Sequence, residues 1–410
     1  MDFTVPASLK ATLRGYQVDG YQWLGSLEHL GLGGILADDM GLGKTLQMIA
    51  HILARVEAGD TKPTLVVCPA SLVYNWAAEL ERFAPSLDVC AIVGAKAQRR
   101  VQIAGAAEHN VVVTSYDLMR RDIDEYIEQD FTRVVLDEAQ YIKNPLTQVA
   151  RAAKRLPAGV RFALTGTPIE NRLSELWSIF DFLMPGLLGT RDSFAKRFES
   201  PVEHAEGDSA ARLQALVSPF VLRRVKEEVV ADLPEKIEDT VMAQLTGEQR
   251  KLYLANQDRI AQQVQHREAG EFKKDKLKVL AELTKLRQIC CDPHLHYADY
   301  KAGSAKLDTC MELVHGALDG GHRILLFSQF TGMLDIIGKR LVKEDIAFLK
   351  LTGASSKESR AKMVAQFQAG EVPVFLISLK AGGSGLNLVG ADTVIHYDPW
   401  WNPAAEDQAT

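Results

Sequence analysis

The sequence predicts an α/β protein built on two parallel β-sheets that are flanked by helices. In the first part of the 410-residue chain, short β-branched and aliphatic runs alternate with helical patterns, an order typical of parallel sheets with helices on both faces. From about Leu173 to Tyr300 the strand-like runs nearly vanish, and apolar residues recur at helical spacing. After Ser304 the alternation returns, so we expect two related lobes around a helical middle.

Strand candidates occur in both lobes. In the first lobe they are GGILAD, TLVVCP, NVVVTSY, RVVLDE and RFALTGT, each ending in polar residues or in Gly or Pro. Helical patterns such as TLQMIAHILARV and LVYNWAAELERF lie between them. In the second lobe the candidates are RILLFSQF, AFLKLTG, PVFLISL and DTVIHYD. Ligands of parallel sheets bind beyond the carboxyl ends of the strands, which is where these polar endings fall.

Composition narrows the class of protein. The formal charge of -6 gives no sign of a general polyanion binder, so any nucleic-acid contact must come from a local basic surface. The N-terminus MDFTVPASLK lacks the basic and apolar runs of a signal peptide, and no apolar stretch approaches the roughly 18 residues of a membrane span. Five scattered cysteines suit a reducing compartment. We therefore expect an intracellular protein with no membrane partner.

The segment CCDPHLH, Cys290 to His296, brings two thiols and two imidazoles close together. Adjacent cysteines point in different directions on a helix or strand, which disfavours a single tetrahedral zinc site. The end of a buried helix is the favoured interpretation, and zinc is the alternative.

The segment DDMGLGKT, Asp38 to Thr45, predicts a phosphate-binding loop. It lies between a strand and a helix that begins at about Thr45, so its backbone amides and the positive helix end can hold phosphates. Lys44 is placed to reach the phosphates, and the Thr45 hydroxyl is placed to hold magnesium. Asp38 stands where such loops usually have their first glycine; because it precedes the tight part of the loop, it need not touch phosphate.

Two acids at the end of the strand in RVVLDEAQ supply the other half of a hydrolytic centre. Asp137 can order magnesium, and Glu138 can orient and deprotonate the attacking water. A solvated acidic turn is the alternative for this motif alone. Together with Lys44, the pair favours hydrolysis of a nucleoside triphosphate. The strand end LTGTP adds Thr165 and Thr167 as a relay between the nucleotide and something bound nearby.

Taken in order, these motifs resemble the switch/sucrose-nonfermenting (SWI/SNF-like) family of superfamily-two DNA translocases. That family writes its phosphate loop as D-(E/D)-MGLGKT, which Asp38 to Thr45 matches. The resemblance covers nearly the whole chain. PFVLRRVKEEVVADLPEK, Pro219 to Lys236, is similar to the family's segment joining the lobes; within it Arg223 and Arg224 could contact nucleotide or DNA, or brace the lobes. SLKAGGSGLNL favours a bacterial member.

The resemblance implies two RecA-like lobes with helical insertions between and on them. Lobe 1 would span residues 1–172 and its helical protrusion 173–225; the interlobe linker with the protrusion of lobe 2 would span 226–303, and lobe 2 304–410. The sixth motif begins at DPWWNPAAEDQAT, and family members continue with a segment carrying two arginines that reach the γ-phosphate. We therefore expect a fragment of a longer protein, truncated inside this motif, that hydrolyses ATP poorly by itself.

The resemblance also implies the residues of each site. Hydrolysis would depend on Lys44, Asp137 and Glu138, with magnesium held by Thr45 and Asp137. ATP would be bound by Arg14, Gln17, Asp39, Met40, Gly41, Leu42, Gly43, Lys44, Thr45 and Gly385. Residues that bind DNA or couple it to hydrolysis would be Ser71, Trp76, Ser115, Tyr116, Gln140, Thr165, Thr167, Ser328, Gln329, Lys380, Gly382 and Trp400. Gln140 stands where the family more often has His, and Lys380 where many members have Arg.

The implied function is ATP-dependent translocation along double-stranded DNA by a monomer, without necessarily separating the strands. DNA would be held mainly through its phosphates, so binding would be largely independent of sequence and strongly salt-dependent. A protein–DNA complex is a candidate cargo. The expected location of the protein is the cytoplasm, in association with the nucleoid, or the nucleus if the source is eukaryotic. Two alternatives stay open: an RNA helicase of the same superfamily, disfavoured by the long helical middle and the PWWN run, and a regulatory scaffold that uses ATP only as a conformational ligand.

Overall fold

The computed structural model describes residues 3–166, 172–200, 208–229, 237–265, 272–382 and 388–399. The chain divides into two compact units, Met1–Pro234 and Glu235–Thr410. Each unit contains a parallel sheet with helices around it, so the predicted fold class is confirmed. The finer boundaries at residues 172, 225 and 303 stay predictions.

The sheet of the first unit has seven strands in the described part of the chain. They are β1 (Gly34–Leu36), β2 (Thr64–Cys68), β3 (Val89–Ala91), β4 (Val111–Ser115), β5 (Arg133–Asp137), β6 (Val160–Leu164) and β7 (Val221–Leu222). Their order across the sheet is β3-β4-β2-β5-β6-β1-β7, and every neighbouring pair is parallel. β1, β2, β4 and β5 are buried along their whole length, as their continuous apolar runs require.

Helices cover both faces of this sheet. They are α1 (Gly15–His29), α2 (Lys44–Glu57), α3 (Val73–Phe83), α4 (Lys96–Ala104), α5 (Tyr116–Arg121), α6 (Ile123–Tyr126), α7 (Gln148–Arg155), α8 (Leu173–Leu183), α9 (Arg191–Phe194), α10 (Ser209–Val217) and α11 (Lys226–Val229). Alternate strand residues face opposite cores: Val134 and Leu136 pack with α8, whereas Val135 packs with α1, α2 and α3. This alternation is the period of two that a strand imposes.

Two strands of the first sheet are not predicted by the sequence patterns. β3 has three partly buried residues at one edge of the sheet, too few for a recognisable run. β7 has two residues and lies in the stretch predicted to be helical; it pairs with β1 through Ile35 opposite Val221 and Leu36 opposite Leu222. β7 is a short strand inside the stretch that the sequence predicts to be mostly helical, because pairing with the distant strand β1 decides its conformation.

The second unit contains all four predicted strands. β8 (Ile324–Ser328), β9 (Phe348–Leu351), β10 (Val374–Ser378) and β11 (Thr393–His396) lie in the order β11-β8-β10-β9 and pair in parallel. Its helices in the described part are α12 (Gly247–Gln265), α13 (Phe272–Cys291), α14 (Ala305–Asp319), α15 (Thr331–Lys343), α16 (Lys357–Gln368) and α17 (Leu379–Gly382).

The cysteine pair of the second unit lies at a helix end, as the favoured interpretation predicts. α13 ends at Cys291, which is buried, and the carbonyl of Cys291 accepts hydrogen bonds from Ser304 Oγ and Tyr397 Oη. Burial raises the pKa of both Cys290 and Cys291, which disfavours the thiolate that zinc needs. Within the described ranges, no cluster of three or more His, Cys, Asp or Glu could hold a metal, and no helix is long and apolar enough to cross a membrane.

Candidate nucleotide site

The carboxyl ends of three neighbouring strands, β1, β6 and β5, bring the predicted catalytic motifs together. The loop from Asp38 to Thr45 follows β1, Thr165 follows β6, and Asp137 is the last residue of β5. Asp137 pairs with Leu164, and the Thr165 amide donates to the carbonyl of Leu36 at 3.2 Å. One edge of the sheet therefore carries all three motifs, where ligands of parallel sheets bind.

The phosphate loop contains two glycines in left-handed backbone conformations. Gly41 has φ 83° and Gly43 has φ 77°, a region that disfavours any residue with a Cβ. Gly43 is the N-cap of α2, so the helix begins at Lys44, one residue earlier than predicted. The amides of the first turn have no partners inside the helix and are available to phosphate oxygens.

The side chain of Lys44 is hydrogen-bonded to the backbone of the phosphate loop. Its Nζ donates to the carbonyl of Asp38 at 2.6 Å and to the carbonyl of Asp39 at 3.3 Å. Burial lowers the pKa of this amine, and the carboxylates of Glu138, Asp137 and the two loop aspartates act in the opposite direction. The cation thus lies between the phosphate loop and the two acids at the end of β5.

Gln17 connects α1 to the phosphate loop. Its Nε2 donates to the carbonyl of Leu42 at 3.1 Å, and its Oε1 accepts from the amide of Arg14 at 2.9 Å. A Cβ on Gly43 would lie 2.5 Å from Gln17 Nε2, so the side chain needs glycine there for its close approach. Arg14 is exposed at the start of α1. The structure brings Gln17 to the loop; binding of ATP by Gln17 and Arg14 stays a prediction.

Asp38, the acid at the first-glycine position of the loop, is fully buried and forms an ion pair with Arg224. Arg224 Nε donates to Asp38 Oδ1 at 2.8 Å, and Gln47 Nε2 donates to Asp38 Oδ2 at 3.2 Å. The carboxylate therefore points into the protein, which agrees with the prediction that it need not touch phosphate.

Asp137 is buried and held by two donors. Trp76 Nε1 on α3 donates to Oδ2 at 2.8 Å, and the amide of Glu138 donates to Oδ1 at 3.0 Å. The pKa of this carboxyl is raised by burial and by the charge of Glu138, against which the Trp76 bond and Lys44 act. The Oη of Tyr116 also donates to the carbonyl of Asp137 at 2.8 Å.

The sequence does not predict the contacts of Trp76 and Tyr116 with Asp137. The residues that follow β5 form a hydrogen-bonded relay from Glu138 through Gln140 to Thr165. Glu138 has φ 52°, a left-handed backbone that is uncommon for a side-chain-bearing residue and frequent at functional sites. Gln140 Nε2 donates to Glu138 Oε2 at 2.8 Å, and Thr165 Oγ1 donates to Gln140 Oε1 at 2.9 Å. An amide can donate at one end and accept at the other, so Gln140 links the acid to the end of β6.

Several residues predicted to bind DNA or to couple it to hydrolysis have buried side chains. The side chains of Trp76, Ser115, Tyr116, Thr165 and Ser328 are at most 3 % exposed. Ser115 caps α5 by accepting from the amide of Leu118, and Trp76 and Tyr116 bond to Asp137. These side chains are thus buried in this conformation, and their part in DNA binding or in coupling stays a prediction.

The remaining predicted residues lie in both units or outside the described ranges. Ser71 is partly buried in the loop after β2, and Asp39, Met40 and Thr45 are partly buried in the phosphate loop. In the second unit, the amide of Gln329 donates to Asp398 Oδ2 at 3.1 Å after β8, and Lys380 and Gly382 lie in α17. Thr167, Gly385 and Trp400 lie outside the described residues.

The site's donor set fits magnesium. The Thr45 hydroxyl and the Asp137 carboxylate are hard oxygen ligands, which Mg²⁺ prefers, and it usually binds one or two carboxylates together with phosphates and waters. Each oxygen of Asp137 accepts a bond from Trp76 or from the amide of Glu138 and has further lone-pair capacity.

Comparison with known proteins agrees with this arrangement. Residues 16–295 match the SNF2-related domain, and residues 305–410 match the helicase conserved C-terminal domain. The chain is 42% identical to a putative ATP-dependent helicase/translocase of Bacillus subtilis, over 99% of this chain and 45% of the relative. It is 35% identical to the TATA-binding protein-associated factor mot1 of Schizosaccharomyces pombe, over 99% of this chain and 25% of the relative. The chain thus spans less than half the length of these relatives.

A solved structure is similar over the full chain. The SWI2/SNF2 ATPase core of Sulfolobus solfataricus in complex with dsDNA is 37% identical, with a TM-score of 0.56, and the match covers 100% of this chain and 87% of that one. The two sheets of the present chain are accordingly those of two RecA-like lobes. With a domain match over residues 16–295 and this structural similarity, the chain belongs to the SNF2-related family of SWI2/SNF2 ATPases.

Proposed function

We propose that this chain is the ATPase motor of a translocase that moves along double-stranded DNA. The observation that carries the proposal is the convergence of Lys44, Asp137, Glu138 and Gln140 at one edge of a parallel sheet. The similarity to an ATPase core solved with dsDNA supports duplex DNA as the polymer. The curated relatives named as ATP-dependent helicases support hydrolysis of ATP.

ATP is the substrate of the proposed reaction. The amides at the start of α2 bind its phosphates, and Lys44 exchanges its loop carbonyls for phosphate oxygens. Magnesium, when held by Thr45 and Asp137, supplies charge neutralisation at the phosphates. Glu138 takes the proton of the attacking water, and Gln140 fixes the position of the Glu138 carboxylate during that step.

The hydrogen bond from Thr165 to Gln140 is the proposed route by which DNA binding affects ATP hydrolysis. Thr165 ends β6, and Gln140 bonds to Glu138, so a displacement at the end of β6 changes the position of the catalytic acid. DNA bound at this edge therefore acts on hydrolysis through positioning, without touching the nucleotide.

The test is steady-state ATP hydrolysis without polymer and with duplex DNA, single-stranded DNA or RNA. We expect the greatest stimulation with duplex DNA and, in Glu138→Gln, a fall in kcat of about 100-fold or more, because the general base is lost. Stimulation by RNA alone would favour the RNA helicase alternative. Tight ATP binding with no hydrolysis under any condition would favour the regulatory scaffold.

Low turnover by residues 1–410 alone stays a prediction. An arginine that reaches the γ-phosphate is worth about a thousand-fold or more in turnover. A chimaera extended after Thr410 by a segment that supplies such an arginine should therefore have a strongly raised DNA-stimulated kcat. Equal kcat for the chain and the chimaera contradicts this expectation.

A further inference from the structure

Arg224 contacts three segments that border the nucleotide site. Its guanidinium pairs with the carboxylate of Asp38, donates through Nη2 to Gln47 Oε1 at 2.8 Å, and donates through Nη1 to the carbonyl of Tyr16. It also lies over the ring of Tyr16, 5.3 Å from the centroid. One side chain thus joins the start of α1, the phosphate loop and α2, all of which border the nucleotide site.

The backbone around Arg224 is attached to the loop as well. The amide of Ala37 donates to the carbonyl of Leu222 at 2.7 Å, and the amide of Asp39 donates to the carbonyl of Arg224 at 3.0 Å. The amide of Lys226 then donates to Asp39 Oδ2 at 3.2 Å. Residues 222–226 therefore continue the parallel pairing of β7 with β1 along the first residues of the phosphate loop.

Gln47 extends this network to the tight part of the loop. It is fully buried, and its Nε2 donates to Asp38 Oδ2 at 3.2 Å and to the carbonyl of Gly43 at 3.3 Å. The carbonyl of Asp38 accepts the 2.6 Å bond from Lys44 Nζ. The carboxylate held by Arg224 therefore belongs to the residue whose carbonyl holds the phosphate-binding lysine.

Gly20 on α1 provides the space for this network. A Cβ at Gly20 would overlap Gln47 Oε1 and come within 2.7 Å of Arg224 Nη2. Glycine inside a helix is normally destabilising relative to alanine, so its presence at this position needs a packing reason. The close approach of the Arg224–Gln47 pair supplies that reason.

We propose that Arg224 is a positioning residue for ATP binding, which preorganises the phosphate loop through its buried ion pair with Asp38. The inference rests on the proposed function, since it deepens the same nucleotide site. A buried carboxylate without its partner is strongly destabilised, so the loop would change conformation to hydrate Asp38. Part of the binding free energy of ATP is then used to restore the binding conformation of the loop, so the affinity for ATP falls.

The test is calorimetric titration with the non-hydrolysable analogue AMP-PNP and magnesium. We expect Arg224→Met to weaken binding by about tenfold or more and Arg224→Lys by less, because an ammonium keeps the charge but cannot serve all three partners. In steady-state hydrolysis, the KM for ATP should rise while kcat at saturating ATP changes less than about threefold.

A matched control is another buried arginine–aspartate pair of this unit, Arg99 with Asp122. Arg99 Nη2 donates to Asp122 Oδ1 at 2.9 Å and Arg99 Nη1 to the carbonyl of Gly94 at 2.7 Å, and neither partner belongs to the phosphate loop. Arg99→Met should lower the thermal midpoint but leave AMP-PNP affinity within about twofold. Equal affinities for wild type, Arg224→Met and Arg99→Met would overturn the proposal.

Gly20→Ala keeps the proposal testable if Arg224→Met does not fold. This variant retains every polar group and should still weaken AMP-PNP binding by displacing Gln47 and Arg224. Unchanged affinity in Gly20→Ala and Arg224→Lys overturns the positioning role. No binding by the folded wild-type chain instead overturns the nucleotide site, and with it the proposed function.

Discussion

Asp137 is fixed by side chains from helices on either side of β5. The Trp76 indole reaches its carboxylate from α3, and the Tyr116 hydroxyl reaches its carbonyl from the start of α5. Tyr116 is itself stacked on Tyr141, with ring centroids 4.8 Å apart. These contacts give the acid a single orientation, which a group that orders a phosphate-bound cation requires.

The Trp76 bond yields the first residue-scale prediction. Trp76→Phe keeps an aromatic ring at this position but removes the donor to Asp137, and a hydrogen bond to a charged group is worth about 1.5–3 kcal/mol. We expect DNA-stimulated kcat to fall about 10-fold to 100-fold. Trp177→Phe is the matched control, because its indole donates to the carbonyl of Gly189, outside the site. An equal loss in both variants would contradict a specific role for Trp76.

The second prediction at the residue scale concerns Gln140, which links Glu138 to Thr165. Gln140→Leu breaks the bonds to Glu138 and Thr165 together, so kcat should fall about tenfold with the KM for ATP nearly unchanged. Gln140→His should retain more activity, because an imidazole can donate from one nitrogen and accept at the other. Gln148→Leu, which loses only an exposed bond from Arg120, serves as the control. If Gln140→Leu matches that control in hydrolysis assays, the relay does not act in catalysis.

At this scale the sequence predicts residues that local spacing defines. Lys44, Asp137 and Glu138 follow from a strand end with a known pattern beside it, and the structure brings them together. The Trp76–Asp137 and Arg224–Asp38 bonds join residues 61 and 186 positions apart in the chain. No local pattern encodes such a contact. The double arginine in PFVLRRVKEE indicates that Arg223 or Arg224 has a role. It does not distinguish between contact with nucleotide, contact with DNA and bracing of the lobes.

At the scale of elements, a buried ionic network ties α1 and α2 to β5. Arg133 Nε on β5 donates to Glu28 Oε2 at 2.7 Å, Arg133 also pairs with Asp60, and His51 on α2 lies 2.5 Å from the same oxygen of Glu28. Arg133 and Glu28 have side chains that are 0% and 7% exposed. The network fixes the helix that carries Gln17 and the strand that carries Asp137 relative to each other.

This network predicts a loss of stability at acid pH in two stages. Burial lowers the pKa of His51 in the folded chain. Below about pH 6.5 the unfolded chain therefore binds a proton at this residue more readily than the folded chain does, and the free energy of unfolding decreases. Burial acts to raise the pKa of Glu28, but bonds from His51 and Arg133 outweigh it and lower the pKa, so stability falls further below about pH 4.3. Each proton contributes a slope of up to about 1.4 kcal/mol per pH unit.

Urea unfolding between about pH 7.5 and about pH 3 tests both stages. His51→Gln keeps a donor for Glu28 but does not titrate, so we expect it to remove the decline that begins near pH 6.5 and leave the one near pH 4.3. His296 in the second unit also has a lowered pKa, through burial and Lys285, so His296→Gln measures how much of the first decline belongs there. An unaltered pH profile in His51→Gln would refute the assignment.

The elements show why part of the fold escapes prediction. Long apolar runs such as TLVVC and NVVVTS specify β2 and β4 by themselves, since both faces of these strands are buried. β3 and β7 lie at the two edges of the sheet, where three and two residues suffice because a neighbouring strand supplies their bonds. Arg224 nevertheless lies only two residues after β7, so the least predictable strand leads directly to the residue that we propose positions the phosphate loop.

At the scale of the whole molecule, the chain has a formal charge of -6 and is similar over its full length to an ATPase core solved with dsDNA. A negative total charge opposes approach to DNA at long range, so the proposed binding of duplex DNA would depend on local contacts with phosphates. Such contacts release counterions, and log K then falls linearly with log salt concentration. This mode of binding reads the duplex backbone and carries no sequence information.

The last prediction concerns the salt dependence of DNA-stimulated hydrolysis. The duplex concentration that gives half-maximal stimulation should rise at least about tenfold between 50 and 200 mM KCl, while kcat at saturating DNA stays within about twofold, because salt competes for phosphates and leaves the site around Lys44 unchanged. Two duplexes of unrelated sequence should give the same curve. Half-maximal stimulation that is independent of salt, or that differs strongly between the two duplexes, would mean that the chain reads bases or does not act on DNA through its backbone.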